Sequence, residues 1–302
     1  MIRLLSFVVA ISVCIVAQAH ADPEADQLKA RVSQLEAEVK LLKERLAKLE
    51  ATRPAPRVLK ISVMPGEWGS APTDDIAAVC RSCAAELTRY FPDRDWDPVT
   101  VHNDPKQGPM VIYGRGHEGE RRVLLNTKDT YWAQYSYQFA HELCHVLCNY
   151  RDGSRVNLWF EESLCETASL FVLKRMAETW KTKPPYGNWK SYADKLGDYA
   201  QKRIGETGKL TDLTLAQWYQ REEPALRKNG TDRARNNIVA MYLLELFEKN
   251  PDHWKAVAYL NQADPKRELS LAEYLADWRS RVPEAQKSFV SDVAVLFGVK
   301  LP

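Results

Sequence analysis

Between residues 26 and 51 the apolar positions repeat every seven residues: Leu28, Leu35, Leu42 and Leu49 form one series, and Val32, Val39 and Leu46 the other. A straight helix drifts off a strict seven-residue repeat, so this pattern predicts a coiled coil over residues 24–52. The flanking charges agree with it. In a parallel, in-register pair Arg31 meets Glu36, Glu38 meets Lys43 and Arg45 meets Glu50, each pair opposite in sign. Valine at two of the three a positions with leucine at d favours two strands, which makes a homodimer through this helix the expected assembly. The prolines Pro54 and Pro56 then stop the helix and predict a short, stiff linker over 53–57.

Past the linker the period changes. Residues 58–64, 99–102, 110–113 and 122–126 are apolar over strand lengths, and residues 73–90 carry a helical period. From Tyr131 onward helical patterns dominate: 131–150, 158–178, 189–203, 215–227, 232–249 and further helices as far as Phe297. A small sheet followed by a helical half predicts an α+β domain over 58–302, divided into an α/β half (58–150) and a helical half (151–302). No internal repeat or low-complexity tract interrupts it.

At the start of the chain Arg3 precedes an apolar run from Leu4 to Ala17, and Ala17-Gln18-Ala19-His20-Ala21 offers small-residue cleavage sites. Residues 1–21 therefore read as a secretory signal peptide. The run is shorter than the ~20 apolar residues that span a bilayer, so no membrane span is expected after cleavage, and the expected location is secreted or periplasmic. In an oxidising compartment Cys80, Cys83, Cys144, Cys148 and Cys165 are disulfide candidates, and their odd number leaves one thiol over. Cys80 and Cys83 have CxxC spacing but fall inside a predicted helix, where a structural role is expected of them.

Charge narrows the partners only by exclusion. The 42 basic and 40 acidic residues of this 302-residue chain are mixed along it and leave a net charge of +2, so no single-sign field points at nucleic acid or at an anionic membrane. The chain is long enough to bury at least one full core.

The chemistry concentrates in His141-Glu142-Leu143-Cys144-His145. At ~100° per residue Trp132, Tyr135, Phe139, Leu143 and Val146 share one face of the predicted helix, while Gln134, Gln138, His141 and His145 share the opposite one. The two imidazoles are off the core stripe, one turn apart, and close enough to share one tetrahedral ion, with Glu142 beside them as a base and not a ligand. A metal lowers the pKa of its bound water, and a neighbouring carboxylate can take the proton. A third ligand is expected downstream, in Asn157-Leu158-Trp159-Phe160-Glu161-Glu162-Ser163-Leu164-Cys165-Glu166. Glu162 and Glu166 lie one turn apart on one helical face, so one can bind metal while the other accepts the outer N–H of a ligand histidine; Glu161 points about 100° away from them.

From about Arg122 to Leu173 the chain resembles the gluzincin branch of the zincin metallopeptidases. HELCH matches their HExxH, and Trp159-Phe160-Glu161-Glu162-Ser163-Leu164-Cys165 is similar to the W-x-x-E-G-x-A segment that carries their third ligand. The resemblance implies a zincin-like fold, Zn2+ at His141, His145 and Glu162, Glu142 as general base, Glu166 behind the ligands, and a strand ahead of the active helix that forms the cleft edge for substrate backbone. Ser163 stands where the family has glycine, and 16 residues separate His145 from Glu162, fewer than in those relatives, so Glu161 and Glu166 stay open as ligands. For the residue that stabilises the oxyanion Tyr242 is the first candidate, with Tyr219 and His253 beside it. The G-x-M-E-N signature of aminopeptidases is missing from the sequence. The expectation is a zinc metallopeptidase, a hydrolase acting on a peptide or protein substrate; the rival is a zincin-fold binding or scaffold protein of the cell envelope that does not hydrolyse.

Overall fold

The computed structural model of the protein describes residues 23–52 and 58–301. The expected signal peptide (1–21) and linker (53–57) lie outside the described residues. The chain divides into two units, Met1–Pro56 and Arg57–Pro302. In the first, helix α1 (Pro23–Thr52) is a single run of 30 residues. Its heptad leucines Leu28, Leu35, Leu42 and Leu46 are 45–62% exposed. An isolated helix gains little stability in water, and here its apolar seam lies open.

The second unit is α+β. Its sheet has the order β1-β2-β4-β3, built from β1 (Ile61–Val63), β2 (Val99–Asn103), β3 (Met110–Arg115) and β4 (Arg121–Leu125). β1, β2 and β4 run parallel, with Ile61 beside Val99 and Val101 beside Val123; β3 returns antiparallel, pairing Val111 with Val123. The strand directly ahead of the HExxH helix is therefore interior. The edge is one strand earlier, at β3, which corrects the expectation for residues 122–126: a parallel strand needs a crossover, and the short return from β3 to β4 is the connection that an edge hairpin can make.

Helix α2 (Thr73–Thr88) and helix α3 (Trp132–Leu147) pack together beside this sheet. Cys80 and Cys83 are on α2, buried and unbonded, and burial pushes both thiols up. They serve as small core residues.

Helix α4 (Leu158–Trp180) is the hub of the helical half and packs on α2 and α3, on α5 (Ala193–Thr207), on α6 (Leu215–Lys228) and on α7 (Arg233–Lys249). It is apolar on nearly every side, from Trp159 and Phe160 to Met176 and Trp180, as a helix surrounded by others must be. The segment expected as one helix over 189–203 starts as a 3-10 turn, Gly187–Tyr192, before α5. The chain closes with α8 (Trp254–Val257), α9 (Leu271–Arg281) and α10 (Glu284–Leu296). Trp159 packs against Tyr219 and Phe297, and Phe160 against Tyr274, Trp278 and Phe297. This aromatic cluster fixes the N-terminal end of α4, where the acidic residues stand. Among the described residues no helix is long and apolar enough to cross a membrane.

Candidate metal centre

The apolar stripe of α3 is buried as its period requires, yet Gln138, Glu142 and His145 are buried too. α4 closes over the polar face and brings its own carboxylates to it. Each imidazole then faces two of them. His141 Nε2 lies 3.2 Å from Glu162 Oε2, and its Nδ1 lies 3.9 Å from Glu166 Oε2. His145 Nε2 lies 3.8 Å from Glu162 Oε1, and its Nδ1 lies 2.6 Å from Glu161 Oε1. Both Nε2 atoms thus converge on Glu162, one oxygen each, and each Nδ1 turns to a separate carboxylate behind it. The ring centroids are 5.1 Å apart.

The carboxylates behind the rings are themselves held. Tyr137 donates its hydroxyl proton to Glu166, and Arg203 Nη2 donates to the Tyr137 oxygen at 3.2 Å. Asn261 Nδ2 donates to Glu161 Oε2 at 2.6 Å, and the Tyr274 hydroxyl donates to Asn261 Oδ1 at 2.6 Å. Asn261 reaches this position from a loop in which it adopts φ 57°, a left-handed conformation that asparagine tolerates. Asn149, just past α3, ties the same loop down by donating to the carbonyls of Ala258 and Leu260. Sequence spacing gave Glu161 the weakest case of the three acids. A ring one turn along the helix is reached from a different angle than its neighbour, and Asn261, which completes the contact, lies 100 residues away in the chain.

The charges explain why a cation suits this place. Burial works against a charged His145, but the Glu161 hydrogen bond and the charges of Glu161, Glu162 and Glu142 outweigh it and push its pKa up to about 10. His141 is raised in the same way, against burial, chiefly by its hydrogen bond to Glu162. Burial also opposes ionisation of Glu162, yet the His141 hydrogen bond, both histidines and Arg233 hold its carboxyl below the ordinary range. Burial is the stronger influence on Glu142, whose carboxyl is raised although both histidines and a hydrogen bond from the Val111 backbone N–H favour its charge. Carboxylates gathered around two imidazoles favour a cation between them, and two imidazole nitrogens with one carboxylate form the donor set of a three-ligand metal site with an open position.

These groups line a cleft of about 730 Å³. One wall is the edge strand β3 from Met110 to Gly114, with Tyr113 on it; the others carry Tyr137, Tyr150, Tyr199, Arg203 and Arg233, with Asn236 and Asn237 on α7. The oxyanion candidates taken from the sequence lie elsewhere. Tyr242 is absent from the cleft lining and has the Lys209 ammonium over its ring. Tyr219 belongs to the aromatic cluster on Trp159, and His253 stacks on Phe289. Tyr242, expected as a catalytic residue, is therefore not among the residues that line the cleft. Asn236 and Asn237 occupy the cleft-facing turn of α7, and Tyr242 stands one to two turns beyond them.

The five described cysteines are all buried and none is bonded. Cys144 Sγ and Cys148 Sγ are 3.9 Å apart, far beyond the ~2.05 Å of a disulfide, so these disulfide candidates stand as free thiols in this structure. Ligand atoms of His141, His145 and Cys165 also lie within 4.8 Å of one another. Cys165 is fully buried and does not line the cleft, whereas Glu162 does. No protein-family profile, curated protein or solved structure matches this chain significantly.

Proposed function

We propose that the chain is a zinc-dependent peptidase of the zincin kind, exported to the periplasm or beyond and paired through α1. The observation that carries this reading is the arrangement of the two imidazoles, each with Nε2 on Glu162 and Nδ1 on its own buried carboxylate, at the floor of a cleft with an open strand along one wall. His141, His145 and Glu162 would hold the ion. Zinc, when bound, acts as a Lewis acid and makes a water molecule acidic enough to lose its proton near neutral pH.

The remaining work belongs to the chain. Glu161 accepts the Nδ1 proton of His145, and the Glu166 carboxylate faces His141 Nδ1 from 3.9 Å, so both favour the tautomer that leaves the Nε2 lone pairs free for an ion. Glu142 accepts the proton of the attacking water, a step that its burial-raised carboxyl favours, and passes it on to the leaving amine, which is the stronger base. Val111 N–H holds the Glu142 carboxylate against β3. The free edge of β3 offers backbone groups to an extended peptide, which adds as a further strand and lays its scissile carbonyl over the centre. The cleft guanidinium groups and tyrosine hydroxyls supply donors to the charge that develops on that carbonyl oxygen.

The test is to incubate the purified protein with a diverse peptide mixture, with and without a chelator, and to read cleavage by mass spectrometry. Cleavage that stops with chelator and returns with zinc supports the reading; an intact peptide pool beside zinc-loaded protein identifies the binding or scaffold alternative.

A further inference from the structure

Three sulfurs that no step above uses meet between the two helices that carry the site. Cys144 is on α3, Cys148 follows the last residue of that helix one turn further on, and Cys165 faces them from α4. All three are fully buried, and one sulfur from each lies within 4.8 Å of the other two. Among the described residues the side-chain hydrogen bonds of these thiols are to one another.

We propose that Cys144, Cys148 and Cys165 form a second, closed metal site for a thiophilic cation, Cu(I) or Zn(II). Two thiolates bound to one ion at ~2.3 Å stand roughly 3.8–4.0 Å apart, and Cys144 Sγ and Cys148 Sγ are already at 3.9 Å. Filling this contact between helices needs only small apolar side chains; three convergent sulfurs are in addition the donor set that soft d10 ions select. Binding releases three thiol protons to solvent as three metal–sulfur bonds form, with no change of oxidation state. Copper(I) accepts three sulfurs as a complete trigonal set, whereas zinc prefers a fourth ligand. The consequence is a cross-link between α3 and α4 beside His145, which follows Cys144, and beside Glu162 and Glu166, which flank Cys165. It fixes the spacing of the two helices on which the cleft centre depends, and it holds whether or not the cleft hydrolyses peptides.

The experiment uses the full chain, reduced and stripped of metal, titrated with Cd(II) as a spectroscopic probe and, in parallel, with Cu(I) under reductant and with Zn(II). The expected result is a near-ultraviolet thiolate-to-metal charge-transfer band that saturates at one equivalent, persists in His141→Ala and Cys80→Ser, and is lost in Cys148→Ser and Cys165→Ser. Whichever of Cu(I) and Zn(II) displaces cadmium at the lower concentration is the preferred ion. Three results overturn the proposal: no thiolate band in folded wild-type protein, loss of the band in folded His141→Ala, which would place Cys165 in one shared site with the histidines, and a disulfide among the three cysteines in the unreduced protein. Should the cysteine variants not fold, the wild-type and His141→Ala titrations still decide.

Discussion

Glu161 Oε1 lies 2.6 Å from His145 Nδ1, and its other oxygen is held by Asn261 at the same distance. This contact places Glu161 behind the His145 ring, so its expected role is to orient that ring. Glu161→Gln is expected to keep the fold and to weaken metal retention ~10 to 100-fold, the usual cost of losing the group behind a ligand histidine. Competition with a graded series of chelators measures it, and an unchanged affinity would separate Glu161 from the centre. Asn261→Ala should move the same way by a smaller step, since it leaves the carboxylate present but less well aimed.

Glu162 is the one carboxylate that both Nε2 atoms face. Glu162→Ala is expected to come out of dialysis without metal in the cleft centre, whereas Glu166→Ala, which removes the carboxylate facing His141 Nδ1 and the acceptor of the Tyr137 hydroxyl, retains it with reduced affinity. Elemental analysis of the two dialysed variants gives the order, and the reverse order would make Glu166 the ligand.

For Glu142 the expected separation is between binding and turnover. In Glu142→Gln the amide oxygen still accepts from Val111 N–H but takes no proton from water, so metal content should equal wild type while peptide cleavage falls ~10²-fold or more. Equal cleavage rates in the two proteins would remove Glu142 from the mechanism.

Tyr242 supplies a control. Because it stands outside the cleft, Tyr242→Phe should leave kcat/KM within about twofold of wild type. A large drop in kcat with unchanged stability would return it to the reaction.

The exposed leucines of α1 set the last expectation. Deleting residues 23–52 should halve the mass seen by light scattering and leave the thermal transition of the second unit in place. A mass that falls only by that of the deleted residues would rule out pairing through α1.

Much of this was legible in the chain itself. The strand and helix segments follow from apolar periods, and the ends differ by a few residues where caps and 3-10 turns intervene, as at Gly187–Tyr192. The pairing of His141 with His145 follows from helix pitch alone, because residues four apart lie one above the other on any α-helix. The same arithmetic sets Glu162 and Glu166 on one face. It misled for Glu161, whose 100° offset counts against it only if both rings are approached from one side.

The sequence by itself determined what is local: the heptads of α1, the two imidazoles one turn apart with a carboxylate between them, and the acidic start of α4. Tertiary structure decided which edge lines the cleft, which acid faces which nitrogen, that Asn261 and Tyr274 stand behind Glu161, that Tyr242 faces elsewhere, and that three cysteines meet as thiols. The physical reason is range. Backbone geometry fixes relative positions over a turn or two, whereas the meeting of α3, α4 and the loop at Asn261 depends on how apolar faces pack across a hundred residues, and no spacing along the chain encodes that angle.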